Sequence, residues 1–411
     1  MRLRRVVITG QGAISPFGCG VEPLMEGLLA GRSAVRVLPE LEGVGGLRTR
    51  VGARAAGVDP RRIERRFRRS MSPMSVFATL ASEEALAQAG LGAEERGDGR
   101  TGVAIGATVG STVTNEAFFA DYFRDRSLER MKSTIFFQIM NHSCAANVAQ
   151  ALGITGRLLA PSAACSTGCQ AVGYGYEMIA FGRQERMLCG GADEFHPLTA
   201  ATFDVFNAGT TGYNDRPEGT PRPFDRDRDG VVCAEGGGVL LLEELETARR
   251  RGAPILAEVV GFATVADPES IANPNRQAME RCMSLALEDA GLEPAEVDYL
   301  NAHATATVQG DVAESEAIAA LFGERVPVSS LKGHMGHTMA ASGALELTAT
   351  VEMLRRGVLV PTRNLERIDP ACAVVNHLQG GPVEAPLEVA VKNNFALGGV
   401  NSTIIVRRYA A

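Results

Sequence analysis

Ala85-Leu86-Ala87-Gln88-Ala89-Gly90-Leu91 and Ala286-Leu287-Glu288-Asp289-Ala290-Gly291-Leu292 repeat one pattern in the two halves of the chain. Each reads as the end of a helix closed by glycine, which takes the left-handed backbone of a helix C-terminus without a Cβ clash. An apolar strand follows each: Val103-Ala104-Ile105-Gly106, and Val297-Asp298-Tyr299-Leu300-Asn301. Another precedes each: Arg5-Val6-Val7-Ile8-Thr9-Gly10, and Ala257-Glu258-Val259-Val260-Gly261. Further on, Ala164-Cys165-Ser166-Thr167-Gly168 opens a helical stretch that stops at Gly182, and Gly336-His337-Thr338-Met339-Ala340 opens one that stops at Gly357. Each half closes on glycines feeding an apolar strand, Gly236-Gly237-Gly238-Val239-Leu240-Leu241-Leu242 and Gly398-Gly399-Val400 through Val406.

Strands alternating with helices imply βαβ units with parallel strands and right-handed crossovers. The expected fold is α/β, with two halves related by a pseudo-twofold axis. Arg249-Arg250-Arg251-Gly252 marks the junction, giving halves 1–251 and 252–411. On this reading Cys165 and His337 stand at equivalent helix starts, and the axis brings those starts together.

The 411 residues are 45% hydrophobic and 22% charged, ordinary globular composition that excludes a disordered tail, a collagen or a coiled coil. A net charge of -7 argues against a broad nucleic-acid surface. The apolar run at the start ends at Ile8, too short for a secretory signal, and no run approaches the ~20 apolar residues of a membrane helix. A cytoplasmic protein with no membrane contact is expected. Eight cysteines without a CxxC pair do not read as a disulfide framework or a zinc site.

Cys165 departs from the reading of cysteine as a small buried hydrophobe. At a helix start, free N–H groups and a partial positive charge stabilise a thiolate, so it is a candidate nucleophile activated by position. The same N–H groups can stabilise an oxyanion. His303 follows a strand in Asn301-Ala302-His303-Ala304-Thr305-Ala306-Thr307, where sites form in open α/β sheets. His334 and His337 have a metal-like spacing with no third ligand cluster, so no metal is expected. Gly10-Gln11-Gly12 starts like a dinucleotide loop but lacks the third glycine, and reads as a tight turn. Arg61-Arg62-Ile63-Glu64-Arg65-Arg66-Phe67-Arg68-Arg69 is a basic island that can dock an acidic macromolecule or a phosphate.

Taken together, Ala164-Cys165-Ser166-Thr167-Gly168, Asn301-Ala302-His303 with Thr305 and Thr307, and Lys332 ahead of Gly336-His337 resemble the Cys-His-His signature of β-ketoacyl-[acyl-carrier-protein] synthases. The elongating, KAS II-like group of the thiolase-fold condensing enzymes is the nearest match. Arg222-Pro223-Phe224-Asp225 and Phe395-Ala396-Leu397-Gly398-Gly399 resemble family segments in the expected order. The resemblance spans essentially the whole chain and so implies a free-standing enzyme. It implies a thiolase-like fold of five layers (αβαβα), two βαβαβ halves, the first carrying the nucleophile and the second both histidines.

The implied reaction is a decarboxylative Claisen condensation. Cys165 takes an acyl group, malonyl-carrier protein loses CO2 beside His303 and His337, and the carbanion attacks acyl-Cys165 to give a 3-oxoacyl chain. The resemblance also implies an oxyanion hole from the Cys165 and Leu397 amides, a catalytic Lys332, and support from Glu314, Asp311 and Phe395. Thr305 and Thr307 would hold phosphopantetheine, which arrives on the carrier protein, so no resident cofactor is implied. Val109, Phe203 and Leu397 would line the acyl pocket. Arg61, Arg62, Arg65, Arg66, Arg68 and Arg69 would dock the acyl carrier protein. The implied assembly is a homodimer, or a heterodimer with a ketosynthase-like chain-length-factor subunit. Ala304 stands where the family has glycine and Leu397 where it has a phenylalanine gate, so a specialised polyketide or polyene pathway stands beside fatty acid elongation. A noncatalytic chain-length factor and a Cys-His hydrolase are the alternatives. The first usually lacks the cysteine present here, and the second has no use for a second histidine.

Overall fold

The computed structural model describes residues 3–129 and 131–410. In chain order, the strands used below are β1 (Val6–Ser15), β2 (Thr101–Gly106), β3 (Leu158–Leu159), β4 (Arg186–Asp193), β5 (Gly236–Glu244), β6 (Ala257–Ala266), β7 (Tyr299–Asn301), β8 (Pro327–Ser329), β9 (Asn376–His377), β10 (Val389–Ala396) and β11 (Val400–Arg407). The helices are α1 (Pro73–Ala89), α2 (Thr112–Asp125), α3 (Ser143–Leu152), α4 (Thr167–Ala180), α5 (Arg276–Ala290), α6 (Val308–Phe322) and α7 (Ser342–Arg356). Gly90 and Gly291 both cap their helices in left-handed conformation, at the same φ of 62°.

The sheet runs β9-β8-β7-β10-β11-β6-β1-β5-β4-β2-β3. Outward from the seam, β1-β5-β4-β2-β3 and β6-β11-β10-β7-β8 have one order and one sense. The inner two pairings are antiparallel and the outer two parallel in each. Across the seam Val6–Ile8 pairs antiparallel with 257–259, so the twofold axis passes between β1 and β6. The parallel pairings expected from the alternation are present in the outer strands, and two antiparallel pairings join them in each half. β10 reaches β11 through a turn at 397–399, and a strand joined by so short a turn must reverse.

α1 and α3 cover the outer face of the first strand set, while α5, with α6 against it, covers the second. α4 and α7 lie between the sets and touch strands of both. The layers are therefore helix, strand, helix, strand, helix, as the thiolase-like expectation required. Every residue of α7 from Ser342 to Leu354 is buried, which an ordinary surface helix never shows.

Two close approaches hold the layers. A Cβ on Gly10 would stand 2.0 Å from the Ala85 carbonyl oxygen, and one on Gly261 2.4 Å from that of Ala286. Gly10-Gln11-Gly12 is therefore part of β1 and not a tight turn, because glycine lets α1 lie against the strand. On the axis, a Cβ on Gly168 would stand 2.5 Å from the Ala340 oxygen, and one on Gly343 2.3 Å from the Cys169 nitrogen. α4 and α7 thus meet backbone to backbone through the same position of each.

Candidate active site

The approach to α4 is strained where the nucleophile candidate sits. Ala164 opens one turn of 3₁₀ helix (Ala164–Ser166) at φ 48°, a left-handed conformation uncommon for a residue with a Cβ. The approach to α7 repeats it: Met339 opens the turn Met339–Ala341 at φ 51°. The twofold partner of Cys165 is therefore Ala340, not His337. His337 stands three residues earlier, in extended backbone, its amide donating to the Val232 carbonyl (2.8 Å) and its carbonyl accepting from Ala234 (2.9 Å). The axis still brings the two together, with His337 Nε2 2.8 Å from Cys165 Sγ.

His303 arrives from the end of β7. Its amide and that of Ala304 donate to the two oxygens of Glu314 on α6, at 2.8 and 2.6 Å. Its Nδ1 lies 3.4 Å from Asn394 Nδ2, which also donates to the Cys165 carbonyl (3.0 Å). That carbonyl can only accept, so the amide nitrogen is the group that faces His303. A nitrogen facing Nδ1 favours the tautomer with the proton on Nε2, although Asn394 Nδ2 also lies 3.0 Å from Ser342 Oγ. The rings of His303 and His337 meet edge to face, centroids 5.3 Å apart, and the Phe395 ring lies edge-on to His303 at 6.5 Å. The ligating atoms of Cys165, His303 and His337 all fall within 4.8 Å of one another, and all three residues line a cavity of about 490 Å³.

Burial dominates the electrostatics. It pushes the Cys165 thiol up to about 12, and the nearby Lys332 ammonium only partly opposes it. Burial thus works against the thiolate that a helix start favours, and an imidazole is in contact with the thiol. Burial, with Lys332 assisting, also holds both histidines well below their usual range. Lys332 is itself fully buried, 2.7 Å from Glu346 on α7. A third member is Lys392 on β10, also fully buried and 2.7 Å from Glu346.

Of the other residues singled out from the sequence, Glu314, Thr305, Thr307, Phe203, Phe395 and Leu397 line the cavity with the histidines. The Thr305 and Thr307 hydroxyls are 3.3 Å apart. Leu397 is on the β10–β11 turn, whose Gly398 amide donates to Ile271 (2.8 Å). Asp311 is one layer back. It accepts from the Phe224 (2.7 Å) and Ala306 (3.1 Å) amides, 3.7 Å from Arg228, and burial raises it to about 7. Val109, past the end of β2, is 56% exposed in the single chain and is not among the residues lining this cavity. His334 turns its Nε2 to the Pro361 carbonyl at 2.9 Å, away from His337's partners.

The basic island is a 3₁₀ turn (Pro60–Arg62) and a short helix (Arg65–Arg68). Arg61 pairs with Asp59 at 3.0 Å and Arg66 with Glu64 at 2.9 Å, while Arg62, Arg65 and Arg69 are exposed.

Sequence reading missed Glu346, Lys392 and Asn394. The signal was present. The chain has only three lysines, Lys132, Lys332 and Lys392, beside arginines throughout, and two of them sit in apolar surroundings.

Comparison with known proteins gives the same answer over the whole chain. Residues 3–248 match the family described as "Beta-ketoacyl synthase, N-terminal domain", and residues 256–366 match the C-terminal domain of that family. The chain is 36% identical to 3-oxoacyl-[acyl-carrier-protein] synthase 1 of Haemophilus influenzae, over 99% of this chain and 100% of that one. A crystal structure of a β-ketoacyl synthase from Burkholderia phymatum superposes with a TM-score of 0.96 at 44% identity, covering 99% of this chain and 100% of that one. The ishigamide ketosynthase/chain length factor superposes at 0.92 with 32% identity and the same coverage. The chain belongs to the β-ketoacyl synthase family.

Proposed function

We propose that this chain is a condensing enzyme that extends an acyl chain by two carbons on an acyl carrier protein. In the first half-reaction Cys165 Sγ attacks the acyl thioester. Its proton passes through His337 Nε2, 2.8 Å away, to the departing carrier thiolate. In the second, malonyl-carrier protein releases CO2, and negative charge gathers on its thioester oxygen. His303 Nε2–H meets that charge. The carbanion then attacks acyl-Cys165, the C–S bond breaks, and 3-oxoacyl-carrier protein leaves. His337 Nδ1 has no hydrogen-bond partner among the described residues, so its tautomer is not fixed. The ring can offer bare nitrogen to the thiol first and N–H to the malonyl oxygen later. The Cys165 and Leu397 amides are proposed as the oxyanion hole, and Thr305 and Thr307 as the phosphopantetheine contacts. The halves 1–251 and 252–411 are proposed as the units contributing thiol and imidazoles respectively.

The convergence of one thiol and two imidazoles on a single cavity carries this reading. The buried Cys165 and both histidines also support catalysis over a noncatalytic partner role. No resident cofactor is proposed, and the reaction's site is proposed as the cytoplasm. Arg62, Arg65 and Arg69 suit an acidic carrier protein because they are exposed and not tied to a neighbouring carboxylate by a short bridge. A second ketosynthase-fold subunit is proposed to cover the aromatic face of α2 and its neighbours. Phe119, Phe123 and Phe136 are 47–66% exposed there, close in sequence to exposed Val109. The family likeness to the ishigamide complex makes a heterodimer the second reading of that partner.

Intact-mass spectrometry after incubation with acyl-carrier proteins of several chain types tests the proposal. One acyl increment on wild type and none on Cys165→Ala is expected. An increment that persists in Cys165→Ala would sink the assignment.

A further inference from the structure

Of the three lysines in the chain, two are fully buried, and both bind one carboxylate. Glu346 is the only charged side chain in the buried stretch of α7 from Ser342 to Thr350. Lys332 Nζ is 2.7 Å from its Oε1, and Lys392 Nζ is 2.7 Å from its Oε2. Lys392 Nζ also donates to the Asn393 carbonyl. A Lys332–Glu346 pair alone would be neutral and would already satisfy the carboxylate. A second buried ammonium adds a net positive charge at considerable desolvation cost. Alternation along β10 puts Lys392 and Asn394 on one face, and Asn394 is the residue that reaches His303 and the Cys165 carbonyl.

We propose that Lys392 is a positioning residue for the condensation, clamping Glu346 against Lys332 so that a net positive charge stands behind His303 and His337. The inference rests on the condensing reading of the site. Its consequence is that both rings stay neutral under conditions where exposed imidazole protonates, which leaves His337 able to take the thiol proton and Cys165 unpaired with an imidazolium. The charged and titratable groups around the rings are Lys332 and Lys392, Glu346, Glu314 on α6, Asp193 on β4 and the Cys165 thiol. Lys392 adds to the lowering that burial and Lys332 impose on both histidines.

Two variants separate charge from packing. Lys392→Met keeps an unbranched side chain one heavy atom shorter, leaves Glu346 paired with Lys332, and drops the cluster from net +1 to zero. Lys392→Met/Glu346→Gln restores net +1 through Lys332 alone. Histidine Cε1–H titrations by NMR, assigned with His303→Ala and His337→Ala, read the rings without any substrate. Losing a nearby cation favours the imidazolium, so the titrations of His303 and His337 should move to higher pH in Lys392→Met and return in the double variant. A rise of about one unit would also cut acyl loading of Cys165, the step that needs a bare His337 nitrogen, about tenfold at the acid end of its pH profile. Unchanged titrations in folded Lys392→Met, or a rise that the double variant does not reverse, would overturn the proposal. Wild-type decarboxylation tests the condensing reading separately.

Discussion

Cys165 and His337 touch, and removal from water works against the charged form of each. Reactivity at this site is therefore a matter of where the proton goes once substrate arrives. The loop that holds His303 depends on one carboxylate. Glu314 accepts from two successive amides, and glutamine there would set an NH2 against one of them, at a cost of about 1–3 kcal/mol. Glu314→Gln should lower malonyl decarboxylation about tenfold, on the scale expected when a reacting group is displaced. Acyl loading of Cys165, read by mass, should change far less. Equal losses in both half-reactions would argue that Glu314 holds more than His303. The residues of the thiol–imidazole cluster proposed as catalytic were legible in the sequence from their neighbours. Lys392 was not, because its meaning lies in contact with Glu346 on another element. Only the scarcity of lysine hinted at it.

At the scale of elements, α4 and α7 are set by what their meeting faces lack. Gly343→Ala would put a Cβ 2.3 Å from the Cys169 nitrogen, backbone that cannot swing aside. It should cost about 3 kcal/mol, the upper range for overpacking. Gly252→Ala, in open space at φ 67°, should cost about 1 kcal/mol. Urea midpoints would compare them, and similar losses would show that the helix contact has room to relax. The helices and their glycine caps were readable because propensity and capping are local. Strand sense was not, since it depends on which strand a turn returns the chain to. Gly10 misled for the same reason. Its pattern looks like a turn, but its cause is the carbonyl of Ala85 on another element.

Over the whole molecule, the single chain leaves an aromatic face around α2 uncovered, with Phe119, Phe123 and Phe136 exposed. Phe123→Asp should shift the particle from dimer to monomer by light scattering, with the fold's circular dichroism kept. A dimer unchanged in Phe123→Asp would place the interface elsewhere. The twofold repeat of the strands was foreseeable from sequence echoes, whereas the off-axis position of His337 was not, because its three-residue displacement from Ala340 leaves no mark in the repeat.

Thiol and imidazole are 172 residues apart in the chain and 2.8 Å apart in the fold. During synthesis the ribosome delivers the first long before the second, and so distant a contact is among the last a folding chain completes. A nascent or truncated product thus carries a cysteine that cannot draw on the cell's acyl thioesters. On the proposed mechanism, acyl loading begins only once His337 has packed against Cys165.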